Sequence, residues 1–223
     1  MSILAKAVGG LFPDGVGVAV MAIGAASDAW PDEAGAMANA VPHRRREFAA
    51  GRAAARAAMT AAGLMPAAIP MAADRAPVWP AGVVGSITHA ADVALAVAAP
   101  QAVARGLGLD MEPDAPLPGD VLSEICDGDE CAWIAGQVQP LRWARVIFVA
   151  KEAAFKCQYP ASATIFGFDG MSVQVDTAHN ALVARFTRAI PPFAKGDALQ
   201  GRFALTGGQI VAGFCRPGAR AVN

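Results

Sequence analysis

Gly106-Leu107-Gly108-Leu109-Asp110-Met111-Glu112 reads as a short strand that Pro113 closes. Successive side chains of a strand point to opposite sides, so Asp110 and Glu112 share one side while Leu109 and Met111 take the other. Two neighbouring carboxylates repel unless a cation sits between them. Mg2+ suits such a pair, because it takes oxygen ligands, keeps waters and typically combines one or two carboxylates with a phosphate. The spacing alone equally fits a solvated strand end before a Pro/Asp-rich turn.

Outward from this strand, the run at 113–120 marks a boundary between two halves of similar length, 1–112 and 113–223. A helix is expected over about 141–158, stopping near Tyr159-Pro160, with an apolar stripe at 143, 146, 147, 150 and 154. Glu152 and Lys156 stand i,i+4 on another face, either as a surface ion pair of about 0.3–0.5 kcal/mol or as a carboxylate beside a phosphate-binding ammonium. In the first half, Pro42 and His43 open a helix over 44–62, ended by Gly63 and Pro66. Arg45, Arg52 and Arg56 fall within about 40° of arc on it, with Arg44 one residue's rotation away; such a stripe is either a solvated face or a phosphate-binding one. Strands are expected at 15–25, at 83–89 and 93–99 as a hairpin-like pair, and at 165–168, 172–175, 182–187, 202–206 and 209–215 as an antiparallel sheet. The class is α+β.

Composition narrows the function. The chain has 223 residues, 55% of them hydrophobic and only 17% charged, so it can bury a core and disorder is excluded. With 18 Lys+Arg against 19 Asp+Glu the net charge is −1, which argues against nucleic-acid binding by bulk electrostatics. The longest uncharged run, 57–73, is broken by Gly63, Pro66 and Pro70, so no membrane span is expected. An N-terminal secretory signal is weak, because Pro13 and Asp14 interrupt the run after Lys6. Cys126, Cys131, Cys157 and Cys215 form no C-x-x-C pair, and the three histidines are not paired with them, so free thiols in a reducing cytoplasm are expected rather than disulfides or zinc.

Taken together, five stretches resemble the 4′-phosphopantetheinyl transferases of the larger, two-lobed type with an enterobactin-synthetase component D-like N-terminal region. They are residues 44–52 (RRREFAAGR), 75–80 (RAPVWP), 85–89 (GSITH), 108–112 (GLDME) and 150–156 (AKEAAFK) with Tyr159-Pro160 after it. The resemblance implies two similar α/β lobes packed as a pseudo-dimer, the first carrying the Arg helix, the Thr-His loop and the Asp-x-Glu strand. It also implies Mg2+-dependent transfer of 4′-phosphopantetheine from coenzyme A to a serine hydroxyl of an apo acyl or peptidyl carrier protein, releasing adenosine 3′,5′-bisphosphate. By position, Asp110, Glu112 and Glu152, with the Met111 carbonyl, would ligate the metal; Glu152, Lys156 and Asp110 would be catalytic, Glu152 as base for the serine. Arg44 and Arg52 would hold the 3′-phosphate or adenine end, with Arg75, Thr88 and His89 completing the nucleotide pocket and Asp110, Glu152 and Lys156 at the diphosphate. A cytoplasmic monomer serving secondary-metabolite or siderophore biosynthesis is implied. Val149, where many relatives carry serine, and Cys157-Gln158 depart from the pattern. A silent coenzyme A-binding module and a Mg2+-dependent phosphoesterase are the alternatives.

Overall fold

The computed structural model describes residues 3–25 and 29–218. In chain order the elements are α1 (Ile3–Gly9), β1 (Gly17–Ala22), α2 (Pro31–Ala34), α3 (Pro42–Ala61), β2 (Val83–Ala90), β3 (Val93–Pro100) and β4 (Ala104–Pro113). The second half adds α4 (Leu122–Ile125), α5 (Gly128–Ala135), α6 (Pro140–Ser162), β5 (Met171–Asp176), β6 (Ala181–Phe186), β7 (Ala198–Thr206) and β8 (Gln209–Pro217).

Two antiparallel sheets result, a three-stranded one in the order β1-β3-β2 and a five-stranded one in the order β4-β8-β7-β6-β5. Each carries one long helix, so the two α/β halves are alike in plan. Small residues let the helices lie close. On β3, Ala96 and Ala98 face Ala54, Ala55 and Ala58 of α3 in one apolar cluster. The other side of β3, with Leu95, Val97 and Ala99, shares a second cluster with Leu107, Leu109 and Met111 of β4. That alternation is the one expected for β4, and it leaves Asp110 on the α6 side. A third cluster packs Val146, Ile147, Ala150 and Ala154 of α6 against Ile210, Ala212 and Phe214 of β8.

Several expectations change. The division after residue 112 groups the Asp-x-Glu strand with the first half, whereas β4 hydrogen-bonds along its length to β8 and forms an edge of the second sheet. Helix α6 does not stop at Tyr159-Pro160. Pro160 lacks only the N–H that would reach the Lys156 carbonyl, and the helix runs one further turn to a left-handed Ala163, whose N–H bonds the Tyr159 carbonyl at 2.9 Å. Residues 165–168 form no strand, and Phe168–Gly170 is a single 3-10 turn before β5. The short helices α1, α2, α4 and α5 carry too few turns for a periodic signal. Among the described residues no helix is long and apolar enough to cross a membrane, and the four cysteines are free.

Candidate active site

Strand β4 and helix α6 pack closely against each other, and a glycine makes it possible. A Cβ on Gly108 would lie 1.8 Å from the Ala153 carbonyl oxygen and 2.7 Å from the Cys157 nitrogen. With no side chain there, α6 lies directly across β4. Lys156 then reaches the acidic strand: its Nζ is 2.6 Å from Asp110 Oδ1 and 3.3 Å from the Leu109 carbonyl oxygen. From the first half, Thr88 Oγ1 donates to the same Asp110 oxygen at 2.9 Å, and Ser86 Oγ accepts the Leu109 N–H at 3.0 Å. Asp110, only 6% exposed, is therefore held by β2 and α6 at once.

The expected Glu152–Lys156 pair is not formed, because Lys156 is committed to Asp110. Among the described residues Glu152 makes no hydrogen bond or ion pair; it lines a cleft of about 190 Å³ with Phe155, Phe166, Phe168 and Met171. Glu112 lies 3.4 Å from Arg145 Nη1, and the Arg145 Nε is buried without a partner. Arg145 was missed in the sequence, although it stands seven residues before Glu152 and so on the same helical face.

The three carboxylates feel one another. Burial pushes the Glu152 carboxyl above the usual carboxylate range, and the charges of Asp110 and Glu112 push it further, against the pull of Lys156. Burial and then Asp110 likewise raise Glu112, against Arg145 and Lys156. Among the described residues no group of three or more His, Cys, Asp or Glu side chains is arranged as a ready metal shell. The donor set nevertheless fits a hard dication in chemistry: oxygen ligands only, with mutual repulsion that added positive charge would relieve.

A second cluster adjoins the first through β2. Arg44 Nη1 lies 2.8 Å from His89 Nε2 and 3.1 Å from Glu47 Oε2, while His43 Nε2 lies 3.1 Å from Glu47 Oε1. Burial raises the Glu47 carboxyl, but the Arg44 bond and the neighbouring histidines outweigh it and hold it below its usual value. Burial pulls the His89 imidazole down, Arg44 and Lys156 add to that, and Glu47 and Asp110 oppose it. Glu47 is a second omission of the sequence reading; its i,i+3 spacing from Arg44 was the available signal.

The remaining arginines divide. Arg52 is 6% exposed, stacks 4.2 Å over the Phe48 ring and donates from Nε to the Ile69 carbonyl at 2.6 Å. Burial, aided by Arg56 and Arg44 and opposed by Glu33, lowers its pKa to about 10. Arg56 forms a buried ion pair with Glu33 at 2.6 Å, and Glu33 also accepts the Ile69 N–H at 2.9 Å. Past its first turn, then, the arginine stripe is no solvated face. Arg75 is exposed on the loop before β2, without a side-chain partner among the described residues. Lys151, beside Glu152 in sequence, points into the core instead: its Nζ lies 2.7 Å from Glu130 Oε2 and 2.7 Å from the Ile125 carbonyl.

Known proteins match the chain over both halves. A family model described as the 4′-phosphopantetheinyl transferase N-terminal domain matches residues 32–99, and one described as the 4′-phosphopantetheinyl transferase superfamily matches residues 106–215. The chain is 39% identical over 189 residues to 4′-phosphopantetheinyl transferase Svp of Streptomyces mobaraensis, covering 82% of this chain and 76% of that one. It is 33% identical over 191 residues to 4′-phosphopantetheinyl transferase PptT of Mycobacterium tuberculosis, covering 81% and 83% respectively. Enterobactin synthase component D of Salmonella typhi is 33% identical over 132 residues, which cover 58% of this chain and 54% of that protein.

Proposed function

The chain belongs to the 4′-phosphopantetheinyl transferases, and from that premise we propose that it moves the 4′-phosphopantetheine of coenzyme A onto a serine of an apo acyl or peptidyl carrier protein, with Mg2+ as cofactor. The observation that carries the reading is the Asp110 carboxylate gripped by Lys156 and Thr88, with Glu152 unpaired beside it. In the reaction the serine oxygen bonds to the phosphorus that carries the pantetheine, the bond to the bridging oxygen breaks, and adenosine 3′,5′-bisphosphate leaves.

Each side chain has work suited to its surroundings. Glu152, whose carboxyl is raised by burial and by its acidic neighbours, is the candidate to accept the serine proton, because its proton affinity is shifted toward neutral pH. Lys156 places a positive charge where the departing phosphate gains negative charge. Asp110, Glu112 and Glu152, with the Met111 carbonyl, would hold Mg2+, which when bound supplies Lewis-acid stabilisation to the diphosphate oxygens. Arg44 would hold the 3′-phosphate or adenine end together with Arg52, whose terminal guanidinium nitrogens make no hydrogen bond among the described residues, and Arg75, Thr88 and His89 would complete the nucleotide pocket. Thr88 orients Asp110. Coenzyme A brings about four negative charges, and a near-neutral protein must gather its basic groups where that ligand lies. Because both halves meet at β4, one chain supplies every group, and we assign a cytoplasmic monomer. The carrier is proposed to belong to a secondary-metabolite or siderophore system, and a relative named enterobactin synthase component D is compatible with the second.

Incubation of the protein with coenzyme A, Mg2+ and an apo carrier protein tests the reading. A carrier mass gain of one phosphopantetheine supports it. Ligand binding without carrier modification would indicate a silent coenzyme A module, and coenzyme A cleavage without modification would indicate a phosphoesterase.

A further inference from the structure

The loop between α3 and β2 is tied to α6 by a bond that joins the two halves. At its tip Arg75 has a left-handed backbone, φ 72°, which a non-glycine residue keeps only where its surroundings over-determine it. The turn is closed by Arg75 N–H on the Ala72 carbonyl and Ala72 N–H on the Ala76 carbonyl, both at 2.9 Å. Asp74 Oδ1 accepts the Ala76 N–H at 2.9 Å, and Met71 bridges Pro77. The other Asp74 oxygen, Oδ2, accepts the hydroxyl of Tyr159 on α6. Tyr159 follows Glu152 by seven residues and Lys156 by three, so all three lie toward one face of that helix. Its ring centroid lies 5.7 Å from that of Phe155, which lies 5.3 Å from Phe166 in the wall of the Glu152 cleft.

We propose that the Asp74–Tyr159 hydrogen bond is a positioning latch: it fixes the strained turn at Arg75 over the catalytic face of α6, so that the guanidinium meets the phosphates of bound coenzyme A. The inference rests on the coenzyme A reading above. Asp74 is exposed and Tyr159 half-buried, so the bond lies at the surface and adds little to global stability, and its effect falls on the placement of the loop. Among the described residues the Arg75 side chain makes no hydrogen bond or ion pair of its own to hold it there. Without the latch, a ligand must itself order the loop and lose affinity in doing so.

The chain contains one tyrosine, so its ionisation is read directly by ultraviolet difference absorbance. The hydrogen bond to Asp74 raises the phenol pKa. Wild type is expected to titrate above the ordinary phenol value of about 10, and Asp74→Asn to return to or below it. In calorimetry, Tyr159→Phe should weaken coenzyme A binding about 3- to 10-fold, the scale of one hydrogen bond, with kcat for carrier modification nearly unchanged. Arg75→Ala should weaken binding similarly, and Tyr159→Phe added to it should cost nothing more. An ordinary phenol titration in wild type, an unchanged dissociation constant in Tyr159→Phe, or additive losses in the double variant would each overturn the latch. Failure of wild type to modify any carrier would remove the transferase reading instead, while the binding cycle still decides the latch.

Discussion

The ammonium of Lys156, on the long helix of the second half, lies 2.6 Å from Asp110 Oδ1 on the edge strand of its sheet. One ion pair thus ties the helix to the acidic strand, and it does so at the residue that Thr88 reaches from the other half. The same commitment leaves Glu152, one turn earlier, without a hydrogen bond or ion pair of its own among the described residues.

Asp110→Ala should abolish transfer, a loss of at least about 100-fold, because it removes the acceptor shared by both halves and a proposed metal ligand. Stranding Lys156 and the Thr88 hydroxyl should cost about 1–3 kcal/mol of stability without unfolding the protein. Mass spectrometry of the carrier and urea denaturation read the two effects separately.

Gly108→Ala should be far more damaging than a methyl group suggests. The new Cβ would lie 1.8 Å from the Ala153 carbonyl, and backbone cannot rotate out of its way. The helix must lift from β4, carrying Lys156 off Asp110. A loss of about 1–3 kcal/mol or more is expected, with activity lost in whatever folds; thermal melting checks it.

The two lysines of the 150–156 motif should separate cleanly. Lys151→Ala leaves the Glu130 carboxylate, 3% exposed, without its cation and should cost about 3–5 kcal/mol. Lys156→Met, whose side chain is 30% exposed and whose partner Asp110 keeps the Thr88 hydroxyl, should cost less, about 1–3 kcal/mol, and fail to modify the carrier. Equal losses of stability in both variants would contradict this division.

The separation of these lysines also shows what a sequence can and cannot disclose. The acidic strand was legible because a period of two places Asp110 and Glu112 on one side while Leu109 and Met111 enter the core, as they do. The long helices were legible too, α6 from its apolar stripe and α3 from Pro42 at its start and Gly63 and Pro66 beyond its end. The sheet to which the strand at 104–113 belongs was not, because its partner, 209–217, lies about a hundred residues away and no local pattern names it. For the same reason the sequence pairs Lys156 with its helical neighbour Glu152 rather than with Asp110, and nothing local announces the buried pairs Arg56–Glu33 and Lys151–Glu130. Thr88, Asp110, Glu112, Glu152 and Lys156 form one cluster and Arg44 and His89 another, with Arg52 and Arg75 outside both, and the neighbours Glu47, Arg145 and Tyr159 appear only once the halves are brought together.

Removing the charge of Glu152 should stabilise the metal-free protein. A carboxyl whose folded pKa lies above its unfolded value contributes stability at low pH that is lost as pH rises through the folded value. At pH values above that range the buried charge is a net cost that glutamine lacks. Glu152→Gln in chelator should therefore melt higher than wild type near neutral pH, by about 2–4 °C for each kcal/mol gained, and the advantage should shrink on acidification. A melting point at or below wild type at neutral pH would oppose this, and the variant should transfer nothing.

The proposed mechanism depends most on acids from β4 and α6 meeting at one cation. Calorimetric titration of Mg2+ into wild type, Asp110→Ala, Glu112→Ala and Glu152→Gln, each saturated with coenzyme A, measures this directly. A single ion bound by wild type, with affinity at least about tenfold weaker in every variant, is the predicted result. Wild-type affinity in Glu152→Gln would mean that strand and helix do not share an ion, and would contradict the mechanism.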